Sequence, residues 1–252
     1  MRPSSALTDF FVTVVVMVLV AWSYVLSVAL RPPGPPERGT ASFPWIVAGL
    51  TMVMAAELLV AATGVLAQFE AMPPAIGRLL VPVILINVYV SSFSALGRKL
   101  ADRLSYQALV GFQVFRLGPE LFLHFGYLEG SLPRQMTWPP EGRNIDVFVV
   151  AFAFAMILGY QVRRVPMPVP LVWSFAVFGL VSLLNIAYTS IRSLTYAIRP
   201  ADFEPGLEVA AHPPFVVLPG FLVQVALCSH LLLLRRLSHP PPPSETGSSE
   251  MW

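Results

Sequence analysis

Apolar runs of about twenty residues recur along the chain, separated by short segments rich in Pro, Gly and Arg. A helix needs about 20 residues to cross about 30 Å of hydrocarbon, so each run is long enough for one crossing. The pattern predicts spans at about residues 10–30, 43–68, 77–96, 106–127, 145–162, 171–191 and 215–234. The fold class expected is all-α: a polytopic bundle of seven transmembrane helices within residues 1–237. Residues 238–252 are polar and Pro-rich with almost nothing to bury, and are expected to form a disordered cytoplasmic tail.

The segments between the runs are legible in the same terms. The first run, Phe10–Leu30, is uncharged and exceeds the 7–15 residues of a signal-peptide core, which favours a retained span. RPPGPPERGTAS (Arg31–Ser42) cannot be helix interior, because clustered Pro removes donors and clashes with the preceding turn. The second run carries Gly49, Ala55, Ala56, Ala61, Ala62 and Gly64, small residues that permit close helix approach in lipid. EAMPPA ends that run, and GRKLADRL forms a tight basic link between the third and fourth. No internal repeat is visible, so two related halves are not expected.

The fourth run breaks the apolar rule. At about 100° per residue, Tyr106, Gln113, Arg116, Glu120, His124 and Tyr127 fall within an arc of roughly 80°. A charge at the bilayer centre costs about 2.5–3.5 kcal/mol on insertion scales. Arg116, about 15 Å along the helix from Tyr106 at 1.5 Å per residue, therefore has to face protein or a watery cavity. Glu120 is the nearest partner, but Arg before Glu is the weaker order for an i,i+4 pair. Glu57, about 18 Å into its own helix from Trp45, reaches nearly the same depth and is a second acidic candidate; Asn87 arrives there too. Pro119 offers no N–H to Phe115 and is expected to kink the helix.

Other polar groups gather near this stripe. Asn185 shares a face of the sixth run with Ser182, Thr189 and Arg192. The loop PRQMTWPPEGRNID sets Trp138, Arg143, Asn144 and Asp146 above the outer end of the stripe. Trp138 suits an interfacial anchor. Asn144 suits a helix cap, and Asp146 a first turn, where the dipole favours an anion. The alternative for this loop is a lid that grips a ligand. The candidate ligand-binding set is Arg116, Glu120, Glu57, Asn87, His124, Asn185, Arg143, Asn144 and Asp146.

Composition and charge then narrow the class. The chain is 56% hydrophobic and 12% charged, about half the charged fraction of a soluble domain. Loop cations set orientation. Arg31, Arg38, Arg98, Lys99, Arg103, Arg163, Arg164, Arg235 and Arg236 lie on one side, and Arg2, Arg78, Arg134, Arg143, Arg192 and Arg199 on the other. This places the N-terminus outside and the C-terminus in the cytoplasm. The single Cys228 excludes a disulfide framework or a cysteine metal site. His124 is placed near the outer end of its span and His230 about one turn from the inner end. They would lie roughly 20 Å apart along the normal, too far to share a metal. Lys99, the sole lysine, is outside the spans, which argues against a retinal Schiff base. No nucleophile elbow, zinc signature, phosphate loop or nucleotide motif is present.

FRLGPELFL followed by LPRQMTWPPEGRNIDV resembles a stretch of uncharacterised bacterial seven-span membrane proteins. The matching residues are Phe115, Arg116, Glu120, Pro133, Met136, Thr137, Gly142, Asn144 and Asp146. Pro119 and Pro139-Pro140 depart from that pattern. The resemblance implies a bacterial inner membrane protein and brings no activity. Two functional classes follow from the residues. One is a small-solute binder or transporter whose outward cavity centres on Arg116, Glu120 and Glu57, with the arginine suited to an anion. The other is a non-enzymatic subunit or receptor-like module whose polar faces serve packing and partner contact. A membrane enzyme has no recognised reaction geometry in its favour. The expected partners are the lipid bilayer, a small molecule or ion, and a membrane protein; nucleic acid is not among them, and no cofactor is identified.

Overall fold

The computed structural model describes residues 2–31, 42–70, 73–163, 166–194 and 206–239. Most of the Pro-rich segment after Arg31, the acidic loop over 195–205 and the tail from 240 lie outside the described residues, as do Arg38, Arg164 and Arg199. The described residues are helical, with no strand. In chain order they form α1 (Ser5–Leu30), α2 (Ser42–Ala62), α3 (Ala75–Ser92), α4 (Ala95–Arg103), α5 (Tyr106–Phe112), α6 (Leu117–Leu128), α7 (Asp146–Arg163), α8 (Val169–Leu194) and α9 (Val223–Ser238). Among them, α1, α2, α3, α7, α8 and the stretch Leu218–Ser238 are long and apolar enough to cross a membrane. The molecule is an all-α, multi-pass membrane protein with six such helices.

Local chemistry sets the ends of the elements. Ser4, Ser94 and Ser105 each accept a backbone N–H of the following first turn, from Leu7, Gly97 and Ala108 at 3.1–3.2 Å, which satisfies donors a helix start leaves orphaned. The expected link GRKLADRL is therefore a helix, α4, bounded by two serine caps. The third run ends at Ser92 rather than Leu96 for the same reason. The second run stops at Ala62, where Gly64 takes a left-handed conformation (φ 76°) that closes the helix.

The largest departure from expectation is the fourth run. It is α5, then a 3-10 turn over Gln113–Arg116, then α6. Pro119 does not sit at the break; it lies in the first turn of α6, where a missing N–H is an orphan anyway. The tightening comes one turn earlier. There the N–H of Leu117 is directed at the Val114 carbonyl, the i−3 partner of a 3-10 turn, and toward that of Phe115.

A second irregularity precedes α9, where Leu218–Leu222 forms a π-helical turn containing Pro219. The helix then runs to Ser238, past the expected end at Leu234. Its basic residues are used: Arg235 donates to the Ser91 and Ser94 carbonyls (3.1 and 2.9 Å), and Arg236 to those of Ala101 and Asp102 (2.8 and 2.9 Å).

Packing gives each helix a distinct station. The stretch through α9 is the central post, 61% buried and touching α3, α4, α5 and α8, whereas α2 is peripheral at 11% and leans mainly on α1. Leu7, Phe11, Val14, Val15, Val18 and Trp22 line the inward stripe of α1, at the i, i+3, i+4 spacing of one helix face. Phe11 meets Phe122 and Phe215 with ring centroids 4.7 and 5.3 Å away. Phe11→Ala leaves a cavity here. Transfer from water contributes little in lipid, so the expected cost is below the ~3–5 kcal/mol of a soluble core. Reversible unfolding in mixed micelles measures it.

Candidate functional site

The polar stripe of the fourth run folds into a buried network, in which Gln113 Oε1 and His230 Nδ1 find no hydrogen-bond partner among the described residues. Arg116 ends the 3-10 turn, which packs on α7. Its guanidinium forms an ion pair with Asp146 at the start of α7. Asp146 also accepts from the Ser182 hydroxyl on α8. Nη1 of Arg116 lies 3.4 Å from Nε2 of His230 on α9. A guanidinium only donates, so Nε2 is the acceptor and the ring proton is on Nδ1. The His230 ring fills the space that a side chain at Gly179 would need, and leans on Phe175 at 5.4 Å. One turn earlier, Gln113 donates to the Ser229 hydroxyl and, at 3.3 Å, to the Ala226 carbonyl.

Asn144 joins this centre to the loop between α6 and α7. Its Nδ2 donates to Glu120 Oε2 at 2.7 Å and to the Met136 carbonyl at 3.1 Å. Its Oδ1 accepts the Asp146 N–H at 2.9 Å, and its own N–H reaches the Thr137 carbonyl at 3.0 Å. The side chain thus sets the entry to α7 through an Asx turn while holding the Glu120 carboxylate. Gln113, Arg116, Glu120, Asn144, Asp146, Ser182, Ser229 and His230 are all buried.

The expected pairings change in three respects. The ion-pair partner of Arg116 is Asp146, neither Glu120 nor Glu57. The 3-10 winding, with 3.0 residues per turn, moves Arg116 off the α6 stripe and toward α7. Glu57 is buried with its carboxylate against Gly220, and it makes no hydrogen bond or ion pair among the described residues. His230 is not near an inner end. With α9 reaching Ser238, it lies about 12 Å short of that end at 1.5 Å per residue, beside Arg116.

The remaining candidates lie elsewhere. Asn87 donates to the Gln224 carbonyl at 2.7 Å and accepts from Ser91 at 3.0 Å, in a seam between α3 and α9. His124 Nδ1 sits 2.8 Å from the Thr137 hydroxyl, and its ring stacks on Trp138 at 4.0 Å. Trp138 thus has an intramolecular partner beyond any interfacial role. Asn185 donates to the Arg143 carbonyl at 2.7 Å. The exposed Arg143 lines a 260 Å³ recess with Arg134 and Glu141. Sequence reasoning missed Ser229, a lone hydroxyl in an apolar run whose role depends on which helix faces it. No group of three His, Cys, Asp or Glu side chains among the described residues could hold a metal.

The core of this arrangement is one ion pair, Arg116 with Asp146, beside a second acid, Glu120, held by Asn144. Glu120 and Asp146 both lie within electrostatic reach of Arg116, and the hydrogen bonds run from one member of the network to another. Removing one partner of a buried pair costs about 3–5 kcal/mol, whereas replacing both by apolar groups is often neutral or stabilising. Asp146→Ala and Arg116→Ala are each expected to lower unfolding stability in detergent by that order, and Arg116→Met/Asp146→Leu to restore most of it. A double variant as unstable as the singles would show that the pair is not self-contained.

No curated protein and no solved structure matches the chain. The family model described as a domain of unknown function, DUF8737, matches residues 73–238, from the start of α3 to the end of α9. It takes in every member of the Arg116 network, and the chain belongs to that family.

Proposed function

We propose that the protein is a non-enzymatic module of a membrane complex in the bacterial cytoplasmic membrane, built on seven crossings. Two ties support the seventh crossing. Arg103, just before α5, donates to the Ala29 and Arg31 carbonyls at the end of α1. Glu129, just after α6, accepts from the Ser4 N–H at 3.1 Å and from its hydroxyl at 2.5 Å, at the start of α1. The segmented fourth run thus covers the length of α1, 26 residues or about 39 Å at 1.5 Å per residue. Arg31, Arg98, Lys99, Arg103, Arg235 and Arg236 gather toward one end, which favours that end as cytoplasmic, with the start of α1 outside.

The observation that carries the module reading is the outward face of α2. The small residues of this helix permit close helix approach, and the structure turns several of them away from the bundle. Ala48, Gly49, Ala55 and Ala56 are exposed, and a Cβ at Gly49 would meet nothing within 4 Å. Between them on the same face stand Trp45, Met52 and Leu59, 70–78% exposed, so α2 offers a second helix large apolar side chains flanked by gaps over small residues. The Arg116 network, by contrast, is buried and acts as packing. Gly49→Ile with Ala56→Ile is expected to release a partner that co-purifies from native membranes, without lowering the melting temperature of the isolated protein. Persistent monomers with no co-purifying protein would sink this reading.

A second reading, a small-solute binder, draws on a different place than expected. A cleft of 700 Å³ opens between Arg2, Ala61, Ser131, His212 and Phe215, and the unpartnered Glu57 lies one helical turn beyond Ala61. Here a panel of small organic cations and anions is expected to stabilise the protein, and Glu57→Gln to abolish the gain. No stabilisation by any member of the panel would rule it out.

A further inference from the structure

We propose that α4 and the recess beside it bind the headgroup of an anionic phospholipid, phosphatidylglycerol in the first instance. The helix is amphipathic over only nine residues: Gly97, Leu100 and Ala101 face the bundle, and Arg98, Lys99, Asp102 and Arg103 face out. The basic residues around it divide into two groups. Arg103, Arg235 and Arg236 are committed to backbone carbonyls at the ends of α1, α3 and α4. The side chains of Arg98 and Lys99 make no hydrogen bond or ion pair among the described residues. These two, with Ala95, Asp102 and Arg103, line a recess of 610 Å³.

The apolar neighbours fix the level of this recess in the bilayer. Phe93 and Leu96 are 71% and 46% exposed, within a turn or two of the free charges, and side chains of this kind belong at acyl depth. The free cations therefore stand where apolar surface ends and headgroups begin. Arg98 and Lys99 supply donors for a phosphodiester, the arginine in a two-pronged contact. Asp102 adds an acceptor suited to glycerol hydroxyls. Three cations against one carboxylate leave the recess positive, which favours a net anionic lipid over a zwitterionic one. Basic pockets among membrane helices on the cytoplasmic side bind anionic headgroups on the same grounds.

The test uses the full chain in mild detergent, titrated with phosphatidylglycerol, with phosphatidylcholine or phosphatidylethanolamine of the same acyl chains, and with inorganic phosphate. Native mass spectrometry counts retained lipid, and thermal melting reads stabilisation. Phosphatidylglycerol is expected to be retained and to raise the melting temperature more than the other three. Arg98→Gln/Lys99→Gln is expected to weaken its binding about thirtyfold, from two basic contacts at an anionic headgroup, while the charge-preserving Arg98→Lys/Lys99→Arg keeps it. Both positions are exposed, so the unliganded melting temperature should not change. Equal stabilisation by a zwitterionic lipid would overturn the proposal, as would an equal effect of free phosphate or binding unchanged in the glutamine variant.

Discussion

The ion pair between Arg116 and Asp146 is the constraint on which the interior depends. A guanidinium set among apolar helices has no acceptable exposure to lipid, so the surrounding elements must close over it. They do so from four directions: the 3-10 turn that carries the arginine, the N-terminus of α7 that carries the aspartate, Ser182 on α8 and His230 on α9. Asn144 extends the closure to the loop between α6 and α7, binding Glu120 with one end of its amide and the backbone of Asp146 with the other. That loop is thereby fixed by the same network that pairs Arg116 with Asp146.

Two helix irregularities serve that closure. The 3-10 turn at Gln113–Arg116 redirects the arginine from its own helix stripe toward α7, and the π turn at Leu218–Leu222 sets the register with which α9 enters the bundle. Each lies next to a proline that removes a backbone donor. Irregular backbone at membrane depth is tolerated where protein covers it, and both turns are largely buried. At the basic end the logic is different. Arg103, Arg235 and Arg236 satisfy carbonyls that helix ends leave open, so much of the local positive charge is structural. Within α4, the side chains of Arg98 and Lys99 remain uncommitted among the described residues.

How much of this was legible along the chain depends on the range of the interaction. The polar stripe from Gln113 to His124 is a local pattern, and it marked the right helix. The partner of Arg116 is thirty positions away, and no periodicity within one helix says which neighbour faces it. Proximity in sequence favoured Glu120, and matched depth favoured Glu57. The first is held by Asn144, and the second lies unpartnered against Gly220. The small residues of α2 were equally visible, yet their direction was not: facing the bundle or facing out are the same pattern on an isolated helix.

By itself the sequence determined the class of solvent and the set of elements. Apolar length requires membrane crossings, clustered Pro and Gly set their limits, and a charge within a span demands burial. Each of these follows from the few residues around the position concerned, through backbone geometry and the cost of leaving polar groups in hydrocarbon. Which charges meet was decided only by tertiary structure. The winding of the fourth run turns Arg116 by the fraction of a turn that selects Asp146. The continuation of α9 to Ser238 brings His230 to the same level. Those choices depend on how helices rotate and slide against one another, a property of their contacts and not of any single stretch of chain.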